Sequence, residues 1–239
     1  MPTSRSVTVP TADGTFQARV HLPDAGRGPG VLLLQEIFGV NDFIEGKAAD
    51  LAGLGYVVLA PDVFWRVQPG VALPHDEASL QEAFGLVGRY SAEIPDDKKA
   101  ADLLAALAAL RDLDEVEGAV GVLGYCLGGT LAYLVAAAGE PDVAVSYYGS
   151  GVADQLELAS QITCPILFHF GGADPYIPAD QVEEVRRTFA GRQNAELVVQ
   201  PEAGHAFENL LAPQFADPPA AERSWRATTE WLGRYLPVT

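Results

Sequence analysis

The sequence has 239 residues, of which 49% are hydrophobic and 20% charged, and its formal net charge is −17. A chain of this length forms one large α/β domain or two small ones, and it can bury enough apolar surface to fold without a disulfide or a metal. The acidic balance, without a basic cluster, argues against nucleic acid as a partner and against an anionic membrane surface.

Alternating apolar residues predict a β-hairpin near the start of the chain, with strands at 6–10 and 16–21 and an Asp13-Gly14 turn. A wholly apolar run at 31–34 then predicts a strand buried on both faces. From there, strand and helix patterns alternate to the end of the chain. Strands are predicted at 56–60, 119–123, 143–148, 165–170 and 195–200, and helices at 44–54, 98–113, 127–138, 178–189 and 222–236.

This alternation predicts an α/β fold, with a mostly parallel central sheet flanked by helices on both faces. No repeat or linker divides the chain, so we expect a single domain over 1–239. Residues 119–139 are uncharged and as long as a membrane span, but four glycines interrupt them, and a buried strand followed by a buried helix explains them better. Residues 63–95 fit the alternation least well; we interpret them as a cap or pocket wall, with an ordinary surface excursion as the alternative.

The strongest chemical signal is the motif Gly-Tyr-Cys-Leu-Gly-Gly at 124–129, between a predicted strand and a predicted helix. This is the context of a nucleophile elbow, a sharp turn whose flanking positions must be small. The turn would present Cys126 at a helix N-terminus, where the helix dipole favours a thiolate over a thiol. The backbone N–H of Leu127 could then stabilise an oxyanion. The alternative is a small buried cysteine in a glycine-rich turn.

A cysteine nucleophile needs a base, and the base needs an orienting group. Asp174 and His205 each follow a predicted strand, so we expect both on loops at the sheet edge that carries Cys126. The order nucleophile, acid, histidine along the chain is the order found in α/β-hydrolases. The sequence therefore predicts a triad of Cys126, Asp174 and His205.

Glu36 directly follows the predicted strand 31–34, in the loop that supplies the second oxyanion donor of α/β-hydrolases. The N–H of Ile37 is the candidate for that donor. A carboxylate beside a thiol opposes thiolate formation through like charge, unless the carboxylate accepts the thiol proton. We expect Glu36 to have this role, with a solvent-facing loop residue as the alternative.

The second cysteine, Cys164, precedes Pro165 at the start of a predicted strand, at the opposite end from Asp174, and we expect it to be structural. Two cysteines are too few for a disulfide framework. The first residues are polar, without the apolar core of a signal peptide. These features lead us to expect a cytoplasmic protein.

Several stretches together resemble the dienelactone hydrolases, also called carboxymethylenebutenolidases: residues 35–39, 60–62, 124–129, 168–174 and 204–207. The resemblance covers nearly the whole chain and implies the α/β-hydrolase fold. It also implies that Cys126, Asp174 and His205 are catalytic and that Glu36 activates the thiol. The reaction implied is the opening of an unsaturated lactone bearing a carboxylate, through a thioester acyl-enzyme and without a metal or cofactor.

The sequence departs from the family pattern where the substrate carboxylate is bound, because Leu80 and Asn209 stand where two arginines are expected. Bidentate arginine is hard to replace in carboxylate binding, so we expect dienelactone itself to be a poor substrate. Arg66 is the candidate for a substitute positive charge. The side chains expected to contact the small ester or lactone are Phe38, Trp65, Arg66, Phe84 and Phe207.

Three other functions stay open at this point. Glutamine amidotransferase-like enzymes also carry a cysteine elbow, but they pair the histidine with a glutamate two residues later, where Phe207 stands. A non-catalytic binding module could keep the fold alone, and an acyltransferase or thioesterase could use the same triad with another acyl acceptor. Hydrolysis by a monomer or small homo-oligomer is the function we expect.

Overall fold

The structure is a computed structural model that describes residues 3–238. Two compact units make up the chain: one contains the residues up to Gly121 together with Val238, and the other is Val122–Pro237. The first unit contains β1 (Thr3–Thr11), β2 (Gly14–Leu22), β3 (Gly28–Leu34), α1 (Asp42–Gly53), β4 (Val57–Pro61), α2 (Glu77–Glu93), α3 (Asp96–Arg111) and the start of β5 (Val116–Tyr125). The second contains the end of β5, α4 (Leu127–Ala138), β6 (Val143–Tyr147), a 3₁₀ segment (Ala153–Gln161), β7 (Ile166–Gly171), α5 (Ala179–Phe189), β8 (Ala195–Gln200) and α6 (Pro218–Tyr235).

The strands form an eight-stranded sheet in the order β1-β2-β4-β3-β5-β6-β7-β8. In the first unit, β1 pairs with β2 and β2 with β4 in antiparallel register, whereas β3 and β4 are parallel. In the second unit, β6, β7 and β8 are parallel to one another. The predicted mostly parallel sheet is confirmed, with antiparallel strands at one edge.

The N-terminal hairpin forms as predicted, with Thr11 opposite Gly14 at its closed end. Val9 lies opposite Phe16, so the two side chains lie on the same face of the hairpin, and both are buried. β3 is buried along its whole length. This burial explains its unbroken apolar sequence, since a parallel strand covered on both faces has no solvent side.

The 3₁₀ segment Ala153–Gln161 was not predicted, and two helices also differ from the prediction. The helix α2 lies within 63–95, where no helix was predicted, and it begins at an Asp76 cap that accepts a hydrogen bond from the N–H of Ser79 (2.8 Å). Its buried apolar stripe is narrow, and Gly85 and Gly88 interrupt its pattern, so the helical periodicity is weak in the sequence. The helix α6 begins four residues before the predicted position, because Asp217 accepts from the N–H of Ala220 (3.0 Å) and so caps it there.

The apolar stretch 119–139 is divided between β5 and α4, as predicted. Among residues 3–238, no helix is both long and apolar enough to cross a membrane. Cys164 is buried just before β7, and burial raises the pKa of its thiol to about 11. A thiol in this setting stays protonated, which agrees with a structural residue.

Candidate active site

The motif at 124–129 forms the tight turn between β5 and α4. Cys126 stands between the two elements with φ 55° and ψ −115°, a left-handed conformation that is uncommon for a residue with a side chain. The turn is fixed by hydrogen bonds: the N–H of Cys126 donates to the Tyr147 carbonyl (3.0 Å), and its carbonyl accepts from the N–H of Gly129 (2.9 Å). Leu127 begins α4, so its N–H is one of the first four that lack an acceptor within the helix.

Gly124 is required by this turn, because a Cβ at that position would lie 1.9 Å from the carbonyl oxygen of Gly128. Since both partners are backbone, we expect Gly124→Ala to destabilise the fold by roughly 2 kcal/mol or more. Gly46→Ala is the matched control, since a Cβ on that helical glycine meets nothing within 4 Å and the change should stabilise α1 by roughly 0.5–1 kcal/mol. Urea unfolding measures both; equal midpoints for the two variants would contradict the steric argument.

Three of the predicted site residues lie together in the second unit. Nδ1 of His205 is 2.7 Å from Oδ2 of Asp174, and Nε2 of the same ring is 3.1 Å from Sγ of Cys126. The other carboxylate oxygen of Asp174 accepts from the N–H of Tyr176 (2.8 Å). Asp174 accepts from Nδ1 of His205 and so holds the ring with its other nitrogen, Nε2, toward the sulfur.

The charges around His205 outweigh its burial. Burial alone would lower the pKa of the imidazole, but the charge of Cys126 and the hydrogen bonds to Asp174 and Cys126 raise it to about 10. With its pKa at about 10, the imidazole of His205 is protonated near neutral pH. A positive charge beside Sγ of Cys126 stabilises a thiolate, which is the nucleophilic form of cysteine.

Aromatic rings that the sequence did not single out surround the imidazole. The rings of Tyr148 and Tyr176 have centroids 5.1 Å and 5.2 Å from that of His205. Phe207, predicted to contact substrate, is fully buried and packs edge-on against Tyr148 (5.3 Å). The only signal for Tyr148 and Tyr176 in the sequence was their closeness to the end of a strand and to Asp174.

In the first unit, Glu36 follows β3, as predicted. Its side chain is buried, and Oε2 lies 3.5 Å from Nε2 of His75. The ring of His75 also packs edge-on against Phe38 (4.4 Å), a predicted substrate contact. The loop that carries these residues is tied to 71–73, since the N–H of Leu73 donates to the Phe38 carbonyl (2.8 Å). Ile37 lies in the same loop and is half-buried. Sequence reasoning missed His75 as a neighbour of Glu36.

Arg66 requires a correction. Its guanidinium binds Asp102 through Nε and Nη2 (2.7 and 2.8 Å) and Asp13 through Nη2 (2.7 Å), and it lies over the Trp65 ring. The indole N–H of Trp65 donates to the same Asp102 (2.8 Å). With its charge offset by two carboxylates, Arg66 is not an available cation for a substrate carboxylate.

The remaining predicted positions lie on helices and loops. Leu80 and Phe84 are on α2, and the ring of Phe84 is exposed to solvent. Asn209 is fully buried, and its side-chain oxygen accepts from the N–H of Leu211 (3.2 Å). Within residues 3–238, no three His, Cys, Asp or Glu side chains come together in a way that could hold a metal.

Comparison with known proteins gives the family. The sequence profile of the dienelactone hydrolase family matches residues 16–236. The chain is 39% identical to a carboxymethylenebutenolidase of Pseudomonas sp. strain P51 over 94% of this chain and 92% of that one, and 36% identical to one of Pseudomonas putida over 91% and 92%.

Solved structures agree in fold. A dienelactone hydrolase-like promiscuous phosphotriesterase from metagenomic libraries superposes with a TM-score of 0.82 at 26% identity, over 98% of each chain. A dienelactone hydrolase of Anabaena variabilis matches with a TM-score of 0.71 at 20% identity over 98% of this chain and 99% of its own, which supports the α/β-hydrolase fold. The chain is an α/β-hydrolase and belongs to the dienelactone hydrolase family.

Proposed function

We propose that this protein hydrolyses a small carboxylic ester or lactone, with Cys126 as nucleophile, His205 as base and Asp174 as the group that orients the histidine. The observation that carries the proposal is the His205 ring, whose two nitrogens lie within hydrogen-bonding distance of the Cys126 sulfur (3.1 Å) and the Asp174 carboxylate (2.7 Å). A nucleophile, a base and an orienting carboxylate in series are the parts that acyl transfer needs. The carboxymethylenebutenolidase relatives support hydrolysis as the net reaction.

The proposed reaction has two steps. In the first, the Cys126 thiolate attacks the carbonyl carbon, and the N–H of Leu127 stabilises the oxyanion. The N–H of Ile37 stays the second donor that the sequence predicts. The tetrahedral intermediate collapses to a thioester, and His205 gives its Nε2 proton to the leaving oxygen. In the second, His205 takes a proton from water, which attacks the thioester and releases the acid and the thiolate.

The thiol proton has two proposed acceptors, Glu36 and His205. The raised pKa of His205 and its contact with the sulfur support the histidine as the acceptor in the resting enzyme. That Glu36 acts on Cys126 stays a prediction of the sequence and of the family resemblance.

We infer that the preferred substrate is uncharged. Leu80 and Asn209 stand where arginines were expected, and Arg66 is paired with Asp102 and Asp13. A charge-assisted hydrogen bond to a carboxylate is worth about 1.5–3 kcal/mol, so its loss lowers kcat/KM for a carboxylate substrate about 10- to 100-fold. The net negative charge of the chain also repels a carboxylate substrate, which lowers kcat/KM further.

Comparison of dienelactone with its methyl ester tests this inference when the opening of the lactone ring, which both compounds share, is the reaction followed. We expect turnover of the neutral methyl ester, together with p-nitrophenyl acetate, and a kcat/KM for the free acid at least about tenfold lower. Equal or faster turnover of the free acid would show that another cation takes the place of the arginines. No turnover of any of the three, with Cys126 inert to iodoacetamide, would favour the non-catalytic binding module.

Cytoplasmic location and the oligomeric state stay predictions.

A further inference from the structure

We propose that Glu208 is a positioning residue, which acts with Ser224 of α6 to hold the loop of His205 at the correct distance from Cys126. The inference rests on the proposed function, because it concerns how the same imidazole and thiol are kept in contact. Glu208 lies three residues after His205, in the segment between β8 and α6, and it is almost completely buried.

Glu208 is bound to α6 by a short hydrogen bond. The hydroxyl of Ser224, itself fully buried, donates to Oε2 of Glu208 (2.5 Å). Burial of a carboxylate is costly unless hydrogen bonds compensate for the lost water, so this contact ties the His205 loop firmly to the helix. Between the two loop residues, Ala206 has φ 55°, a conformation that a free loop rarely adopts at alanine.

The same helix also holds the Cys126 turn. Thr228, one helical turn after Ser224, lies 2.6 Å from the hydroxyl of Tyr147 through Oγ1. Tyr147 in turn accepts the Cys126 N–H at its backbone carbonyl (3.0 Å). Residues i and i+4 of a helix share one face, so Ser224 and Thr228 connect α6 to both partners of the thiolate–imidazolium pair.

The two titratable side chains that contact Thr228, Tyr147 and His169, are both held in their neutral forms. Burial and the negative charge of Glu208 raise the pKa of Tyr147 well above its usual value, so the phenol keeps its proton. Burial lowers the pKa of His169 to about 3, so this ring is neutral where it stacks on Tyr147 (4.3 Å) and contacts Thr228. Both side chains therefore stay uncharged near pH 7.

Removal of one buried hydroxyl tests the positioning role. We expect Ser224→Ala to lower kcat for p-nitrophenyl acetate about 10- to 100-fold with little change in KM, since a misplacement of about 1 Å can have this effect. The rate of Cys126 alkylation by iodoacetamide at pH 6.5 should fall in parallel, and Glu208→Gln should have an intermediate effect. Thr229→Ala, a hydroxyl deletion on the outer part of the same helix, is the matched control and should resemble the wild type. Ser224→Thr keeps a hydroxyl at this position and should retain most of the wild-type kcat.

Imidazole ¹⁵N shifts of His205 separate this proposal from the proposed function. If the wild type hydrolyses no ester, the proposed function fails, but a shift of the His205 resonances in Ser224→Ala and not in Thr229→Ala would still support positioning. Unfolding midpoints provide the structural readout. The proposal would be overturned if Ser224→Ala lowered the unfolding midpoint and changed nothing else. In that case its kcat and alkylation rate would be within about twofold of those of Thr229→Ala, and its His205 ¹⁵N shifts would be the same.

Discussion

Cys126→Ala is expected to lower the kcat for p-nitrophenyl acetate by roughly 10⁶-fold, and Cys126→Ser is expected to lower it by roughly 10³-fold or more. Loss of the nucleophile of a triad leaves only the catalysis that binding and the oxyanion donors provide. Serine fills the same space, but its hydroxyl ionises far less readily than a thiol. A negative charge on the sulfur is the largest of the effects that raise the pKa of His205, and a neutral hydroxyl does not supply it.

Cys164→Ala is the matched control for this experiment. Cys164 is the other free thiol, it is buried just before β7, and its raised pKa keeps it unreactive. We expect this variant to keep wild-type kcat and to lose some stability, because a small buried side chain is truncated. Iodoacetamide should modify one cysteine in the wild type and none in Cys126→Ala. Wild-type turnover by Cys126→Ser would be incompatible with thiolate catalysis.

The turn at Cys126 could be predicted closely from sequence because its constraints are local. Gly124 has no room for a Cβ, and the pattern that follows begins a helix at Leu127, where α4 starts. The buried strand β3 was predictable for a similar reason, since seven buried residues in a row leave no polar position. In each case, neighbours along the chain impose the structure.

Contacts between distant segments could not be predicted in this way. The pairing of Arg66 with Asp102 and Asp13 joins residues 36 and 53 positions apart, and no pattern in the sequence relates them. The helix α2 was missed because its buried positions are few and two glycines dilute its pattern. Ser224 carries no chemical motif at all, and only the folded α6 brings it to Glu208.

Asp174→Asn is expected to lower kcat/KM for p-nitrophenyl acetate by roughly 10³- to 10⁴-fold, although Cys126 and His205 are both retained. An amide can donate from its N–H₂ group to Nδ1 of His205, which places the proton of a neutral imidazole on Nε2. Nε2 faces the sulfur, and once it carries this proton it cannot take the proton of the thiol. The substitution also removes one of the charges that keep the imidazole protonated, after the larger effect of Cys126. The thiolate–imidazolium pair is therefore weakened from the side opposite to the sulfur.

The pH dependence of stability gives this variant a second, independent test. The pKa of His205 is raised from about 6.5 to about 10, so the stabilisation from its charged form is complete below about pH 6.5 and is lost as the pH rises through 10. Asp174→Asn should thus be less stable than the wild type at pH 7, and the difference in unfolding free energy should shrink toward pH 10.5. Asp180→Asn, at an exposed carboxylate on α5, is the control and should change neither rate nor pH profile. A constant stability difference across this range would mean that the effect of Asp174 does not depend on the charge of His205, and the ion pair would lose its support.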